Sequence, residues 1–229
     1  MQKSAKYALV AVALVILVGG AGFYWFVLRD DAPPRASLQT NSSVAGAPSD
    51  KASADGTWKV APADNVFVGY RVNELFAGET IKKEAAGHTP AVEGTLTISG
   101  STISAAEINA DVSRLKSDRA ARDSQIKTRG LQTNTFPQAT FKLTKPITLP
   151  SAPVKGQSVE FTAAGELTLH GQTKTVDVPL KAQWDGGTIS VAGSAPVVFS
   201  DYGMDPPTNG IVSVDDHGEF ELQLTFIPA

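Results

Sequence analysis

The sequence predicts an all-β fold: an antiparallel barrel of about eight strands, with a short helix near one end and a transmembrane helix ahead of it. Three observations carry that expectation. Apolar and polar residues alternate with period two from Thr57 onward, Gly-containing turns separate the alternating runs, and one N-terminal apolar run is long enough to cross a bilayer. Successive side chains of a strand point to opposite faces, so strict alternation marks strands with one buried face.

The apolar run comes first. From Tyr7 to Leu28 every residue is apolar, small or aromatic. A hydrocarbon core of about 30 Å needs roughly 20 such residues. Lys3 and Lys6 precede the run, while Arg29 is followed by Asp30 and Asp31. That asymmetry predicts residues 1–6 in the cytoplasm, residues 7–28 as a signal-anchor and the remainder outside. Tyr24 and Trp25 suit an interfacial belt. The rival is a cleaved signal peptide, whose apolar core is roughly 7–15 residues long. Gly19-Gly20-Ala21-Gly22 offers small residues for cleavage, but apolar residues continue to Leu28. Residues 29–55 are rich in Ala, Ser, Pro, Asp and Asn, a composition that predicts a flexible linker.

Residues 56–229 are expected to form the barrel. Val66, Val68, Tyr70 and Val72 make the first alternating face, followed by Val92 to Ile98, Ile108 to Val112 and Ala139 to Leu143. Longer faces run through Val159, Phe161, Ala163, Gly165, Leu167 and Leu169, then through Val176 to Trp184 and Ile189 to Phe199. Phe220, Leu222, Leu224 and Phe226 close the chain. His170-Gly171-Gln172-Thr173 and Asp185-Gly186-Gly187 read as hairpin turns. About eight strands is near the size at which a barrel holds one small ligand. Ser117 to Gly130 breaks the alternation. With Ser117 as N-cap and Gly130 as stop, it predicts a short amphipathic helix covering one end.

The chemistry expected is that of binding, not catalysis. A net charge of -3 lacks the basic excess of a nucleic-acid binder. The absence of cysteine removes disulfides, thiolate metal sites and cysteine nucleophiles. His88, His170 and His217 have no zinc-ligand spacing and read as turn or surface residues, the last in the turn-like Asp215-Asp216-His217-Gly218. No nucleophile elbow, phosphate loop or dinucleotide fingerprint is present. No cofactor or metal is expected, and Asp215 and Asp216 read as a solvated loop.

The inward faces are the remaining resource. Alternation places Tyr70, Leu96, Phe141, Phe161, Ala163, Leu169, Val178, Phe199, Leu222 and Leu224 on one interior wall, the candidate ligand-binding set. Gly94, Ala110, Ala163, Gly165, Gly193 and Ala195 on these faces are small. They either leave an apolar cavity or interdigitate with large neighbours in a filled barrel. Arg119, Arg122 and Arg129, with Asp123 and Lys127, form the densest charge cluster. They are read either as a head-group rim or as a solvated helix face.

Several segments resemble one known family. Gly165 to Lys174, reading GELTLHGQTK, is similar to the GxLTLxGxTK/R hairpin of the YceI-like family of lipocalin-like, polyisoprenoid-binding proteins. Arg122-Asp123, Phe136-Pro137-Gln138-Ala139-Thr140-Phe141, Trp58 and Val68 to Val72 resemble further segments of that family in order and spacing. The chain departs from it at Asn73-Glu74, where many members carry a histidine, and at Leu131-Gln132-Thr133. The Asp201 to Met204 loop resembles membrane-anchored actinobacterial members. The resemblance implies a lipocalin-like barrel with a helix near one end, a polyisoprenoid lying lengthwise inside, and no catalytic residues. The expected function is noncatalytic storage or transfer of such a lipid at the outer face of the membrane. An envelope or stress-response interaction module with a filled barrel is the alternative, and an enzyme at the barrel mouth is a further rival. The expected partners are an isoprenoid or other long-chain lipid, the membrane, and a second copy in a homodimer.

Overall fold

Period-two patterning is realised as twelve strands in one antiparallel sheet, seen in a computed structural model that describes residues 32–39, 44, 51–208 and 210–229. The strands are β1 (Gly56–Val60), β2 (Phe67–Phe76), β3 (Lys83–Thr89), β4 (Val92–Ser99), β5 (Thr102–Asp111) and β6 (Lys116–Ser117). After the helix α1 (Ala120–Thr128) come β7 (Gln138–Leu143), β8 (Ile147–Thr148), β9 (Ser158–Leu169), β10 (Gln172–Trp184), β11 (Ile189–Val198) and β12 (Val212–Pro228). β1 pairs with both β4 and β12. The order β1-β4-β5-β7-β9-β10-β11-β12 therefore closes into an eight-stranded ring.

The other strands prolong that ring. β2 continues β1 along β12, with Phe220 opposite Tyr70, and β3 runs beside β2 and leads into β4. β6 continues β5 and pairs with β3 through Gly87–Ser117 and His88–Lys116. Closure removes open sheet edges, and eight strands leave an interior wide enough for side chains or one small ligand.

Two turns behave as their residues require. His170 and Gly171 both have positive φ, 51° and 71°, in the two-residue link between β9 and β10. A tight hairpin turn of this kind needs left-handed backbone at both positions to match strand twist. In the next turn, the Asp185 carboxylate accepts hydrogen bonds from the Gly187 and Thr188 N–H groups at 3.0 and 2.6 Å.

The structure corrects several expectations. β3 was not expected, because KEAAGHT has no large aliphatic residue, yet Ala85 and Ala86 are buried in it. Asp215-Asp216-His217 is not a turn. It lies within β12 at an irregularity between Val214 and Gly218. His88 is not at the surface of a turn either. It stacks on Phe67 with ring centres 3.8 Å apart and lies 2.7 Å from Glu221 through Nε2. Phe199 leaves the strand and opens a 3-10 turn that ends at Tyr202. Ser117 does not cap the helix, because its backbone is paired in β6. Its N–H and hydroxyl instead donate to Asp123, at 2.9 and 2.7 Å. None of the residues of α1 is fully buried, and Ile126 is the one that packs against the core.

Residues 32–39 depart from a free linker. They lie along the outer face of β12 and β2. Arg35 pairs with Glu219 and Glu84, the Ala36 N–H donates to Glu221, and the Ser37 N–H donates to Gln223 at 3.0 Å. The Pro33 carbonyl accepts from Arg71 at 2.9 Å. Under this strap Arg71 and Glu221 form an ion pair at 3.0 Å, with side chains only 2% and 1% exposed. An outward-facing pair in a barrel wall would normally be wet, and the strap explains why it is not. Burial pushes the Glu221 carboxyl up, but the hydrogen bonds from His88 and the Ala36 N–H, with the charge of Arg71, outweigh it and hold the pKa below its ordinary value.

The expected membrane span, Tyr7–Leu28, and the cytoplasmic residues before it lie outside the described residues. Among the described residues no helix is long and apolar enough to cross a membrane.

Candidate functional site: an apolar cavity at one end of the barrel

Side chains alternate across each strand, so the ring has one apolar inner face. At one end that face is not filled. A cavity of about 190 Å³ is bounded by Leu96 and Ile98 of β4, Ile103 and Ile108 of β5, and Phe141 and Leu143 of β7. Phe161 and Ala163 of β9, Val178 and Leu180 of β10, and Leu222, Leu224 and Phe226 of β12 complete much of the wall. The lining residues include no titratable side chain. Its polar members are Ser151, Gln157, Ser158 and Gln183, near the strand ends.

The ten interior candidates divide by position along the barrel. Leu96, Phe141, Phe161, Ala163, Val178, Leu222 and Leu224 line the cavity. Tyr70, Leu169 and Phe199 do not. They pack in the core beyond its closed end, with Leu167, Phe220 and Tyr202. Registers fix the direction. Glu74 faces Val214 near the start of β12, and Val68 faces Leu222 further along it. The cavity therefore belongs to the end where β12 finishes.

Small residues do not by themselves make the space. A Cβ on Gly165 would lie 2.3 Å from the Phe141 ring, and one on Gly193 would lie 2.2 Å from the Pro179 carbonyl oxygen. These glycines let a ring and a neighbouring strand approach.

The opening is built by an interruption in the wall. β7 pairs with β9 only from Thr140–Thr168 to Leu143–Gly165. Thr144 then bonds the Ala164 carbonyl through its N–H and hydroxyl, at 3.1 and 3.0 Å. Beyond it β8 turns to pair with the start of β5, and the chain makes a loop over residues 149–157. Among the described strands none pairs with this side of β9 from Ser158 to Ala163. Pro150, Ser151, Ala152, Val154, Gln157 and Ser158 line the cavity and are solvent-exposed, which places the mouth here.

Arg119, Arg122 and Arg129 do not line the cavity. Arg122 is clamped by Glu74, with Nε and Nη2 each 2.8 Å from a carboxylate oxygen, and also contacts Asp118. Burial lowers the Arg122 pKa, but Glu74 and Asp118 more than compensate and raise it. Arg119 pairs with Asp118 and lies over the Phe76 ring at 5.1 Å. Arg129 ends α1. Because Glu74 faces the start of β12, this cluster stands at the end opposite the mouth. Tyr70 lies close to it, and burial raises the pKa of its hydroxyl well above the ordinary value. Sequence reasoning missed the mouth residues 150–158. Their exposed small and apolar character, interrupting two alternating runs, was the available signal.

The barrel is similar to solved structures of low sequence identity, which speak for the fold alone. One is a polyisoprenoid binding domain from Saccharophagus degradans implicated in plant cell wall breakdown, with 14% identity and a TM-score of 0.57, over 75% of this chain and 98% of that one. Another is Burkholderia cenocepacia BcnA, with 18% identity and a TM-score of 0.50, over 68% and 95% of the two chains. A search of curated proteins finds no match. The family model for the YceI-like domain matches residues 58–226, from the buried Trp58 in β1 to Phe226 in the cavity wall. A closed eight-stranded barrel with one short helix and an apolar interior is what that match covers, and the chain belongs to the YceI-like family.

Proposed function

We propose that the barrel binds the apolar tail of a polyisoprenoid or similar long-chain lipid, stores or transfers it without altering it, and does so at the outer face of a membrane in which Tyr7–Leu28 anchors the chain. The observation that carries this reading is the cavity itself, lined mainly by apolar side chains and open at one end. An apolar pocket holds water poorly and favours an apolar guest. At about 25 cal/mol per Å² of apolar surface removed from water, a tail burying on the order of 300 Å² gains several kcal/mol before the costs of association. The lining has no carboxylate, histidine or lysine to activate the hydroxyls of Ser151 and Ser158, which favours binding over chemistry. The Saccharophagus degradans neighbour, described as polyisoprenoid-binding, supports the ligand class. The hollow end weighs against the filled-barrel alternative.

Mass spectrometry of lipid extracted from the full-length protein, purified from its native membranes, tests the reading. A near-stoichiometric, chemically unmodified isoprenoid is expected. A lipid-free protein that also fails to bind a fluorescent isoprenoid overturns it. A reporter active only in the cytoplasm, fused after Ala229, is expected to be silent.

A further inference from the structure

The cavity is short for the ligand proposed. Sites for small molecules commonly enclose about 300–1,000 Å³, whereas this one encloses about 190 Å³. A long chain entering it therefore keeps part of its length at or beyond the mouth, and the mouth must be compatible with that.

Its composition is unusual for an exposed loop. Residues 144–158 read TKPITLPSAPVKGQS, with Pro146, Ile147, Leu149, Pro150, Ala152, Pro153 and Val154 but no acidic side chain. Their charges are Lys145 and Lys155, both positive, in a chain whose net charge is -3. Val154 is 48% exposed, and it lines the cavity at the same time. The lining thus runs from the apolar interior out to the exposed Val154, with Ser151, Gln157 and Ser158 beside it at the mouth. The unpaired stretch of β9 from Ser158 to Ala163 borders the same opening, and its one acidic residue, Glu160, is ion-paired with Lys181 at 3.1 Å.

We propose that residues 150–158 form a lip that rests in a lipid surface, so that an apolar chain passes between bilayer and barrel without crossing water. The occupant is a membrane leaflet rich in anionic lipid. Apolar side chains enter the boundary between head groups and acyl chains, and each lysine near an anionic surface adds attraction. This inference rests on the lipid-binding reading for its purpose but not for its test.

The absence of cysteine makes the test clean, because any introduced thiol is unique. Full-length Val154→Cys and Ile81→Cys are each labelled with an environment-sensitive dye and reconstituted into vesicles of phosphatidylcholine and phosphatidylglycerol. Ile81 is the control, at 76% exposure in the β2–β3 connection, at the opposite end of β12 from the mouth. The dye at 154 should be quenched by spin-labelled acyl chains and shielded from aqueous iodide, with the reverse at 81. Iodide access at 154 equal to that at 81, with no quenching from the lipid, overturns the lip. In parallel, Val154→Asp should slow transfer of a fluorescent isoprenoid out of these vesicles by roughly tenfold, the factor for about 1.4 kcal/mol. Because Val154 also lines the cavity, binding of the same isoprenoid in detergent solution is measured beside it, and transfer should fall by more than binding does. Unchanged transfer by Val154→Asp also overturns the lip. Failure of the wild type to bind any isoprenoid sinks the functional reading instead, while the quenching result still decides where the loop sits.

Discussion

At the mouth end of the barrel, Phe161, Leu224 and their neighbours border the cavity, and the loop over residues 144–158 carries Lys145 and Lys155 and no acidic side chain. At the helix end, Tyr70, Leu169 and Phe199 are packed in the core, and Arg122 is clamped between Glu74 and Asp118. The same eight strands supply both ends. One end forgoes packing, and so has room for a guest. The other has its charged groups paired with one another, and so acts as the fixed end of the molecule. Dispersion contacts at the closed end can offset contacts left unmade at the mouth.

Three substitutions or conditions break or sharpen that contrast. The largest effect is expected at the helix end. Arg122→Ala leaves the Glu74 carboxylate buried and uncompensated, a loss of about 3–5 kcal/mol for breaking such a pair. At roughly 2–4 °C per kcal/mol for a domain of this size, the melting temperature should fall by about 6–20 °C. Isoprenoid affinity measured well below the melt should hold, because Arg122 does not touch the cavity. A large loss of affinity with an unchanged melt would reverse the roles of the two ends.

A second test fills the hollow end. Ala163→Phe puts a ring into the cavity and should lower affinity for an isoprenoid at least about tenfold, or 1.4 kcal/mol. The melting temperature should move little. Overpacking a filled core would cost about 1–3 kcal/mol. An early melt with undiminished binding would show that Ala163 faces packed protein and not the guest.

The smallest effect concerns neither end but the strap beside them. Glu221 has a folded-state pKa below its ordinary value of 4.5. Its contribution to stability is therefore present above pH 4.5 and is lost as the pH falls through the lower folded value. Acidification below about 4.5 should loosen residues 32–39 before the barrel melts. A dye on Ser37→Cys should report this as a rise in mobility. In Glu221→Gln the acid-dependent step should vanish, and its persistence would assign the transition to another carboxylate.

Much of this was legible in the residues. Alternation predicts which side chains face inward, and it does so for Leu96, Phe141, Phe161, Ala163, Val178, Leu222 and Leu224. It does not reveal which part of an interior is empty. That depends on pairs such as Phe141 over Gly165, which no one strand contains. Arg122 looked like a rim because its partner Glu74 lies 48 residues earlier, on β2. The opening was illegible for a related reason. Period two predicts β9 but not that β7 stops short beside it. The strap gave no signal, because APPRASLQ has little apolar area to bury, and its anchors are mainly side chains of β2 and β12 meeting its backbone.

That strap joins the beginning of the compact unit to its last strand. Ala36 and Glu221 are 185 residues apart, and Ser37 and Gln223 are 186 apart. Contacts so distant in sequence carry a large loop-closure cost and tend to form late. β12 must already be seated before Glu221 and Gln223 are in place to receive it. Residues 32–39 are thus among the first of this unit to be made and among the last to settle. The strap acts as a fastening drawn across a finished barrel, and its release would be the earliest sign of unfolding.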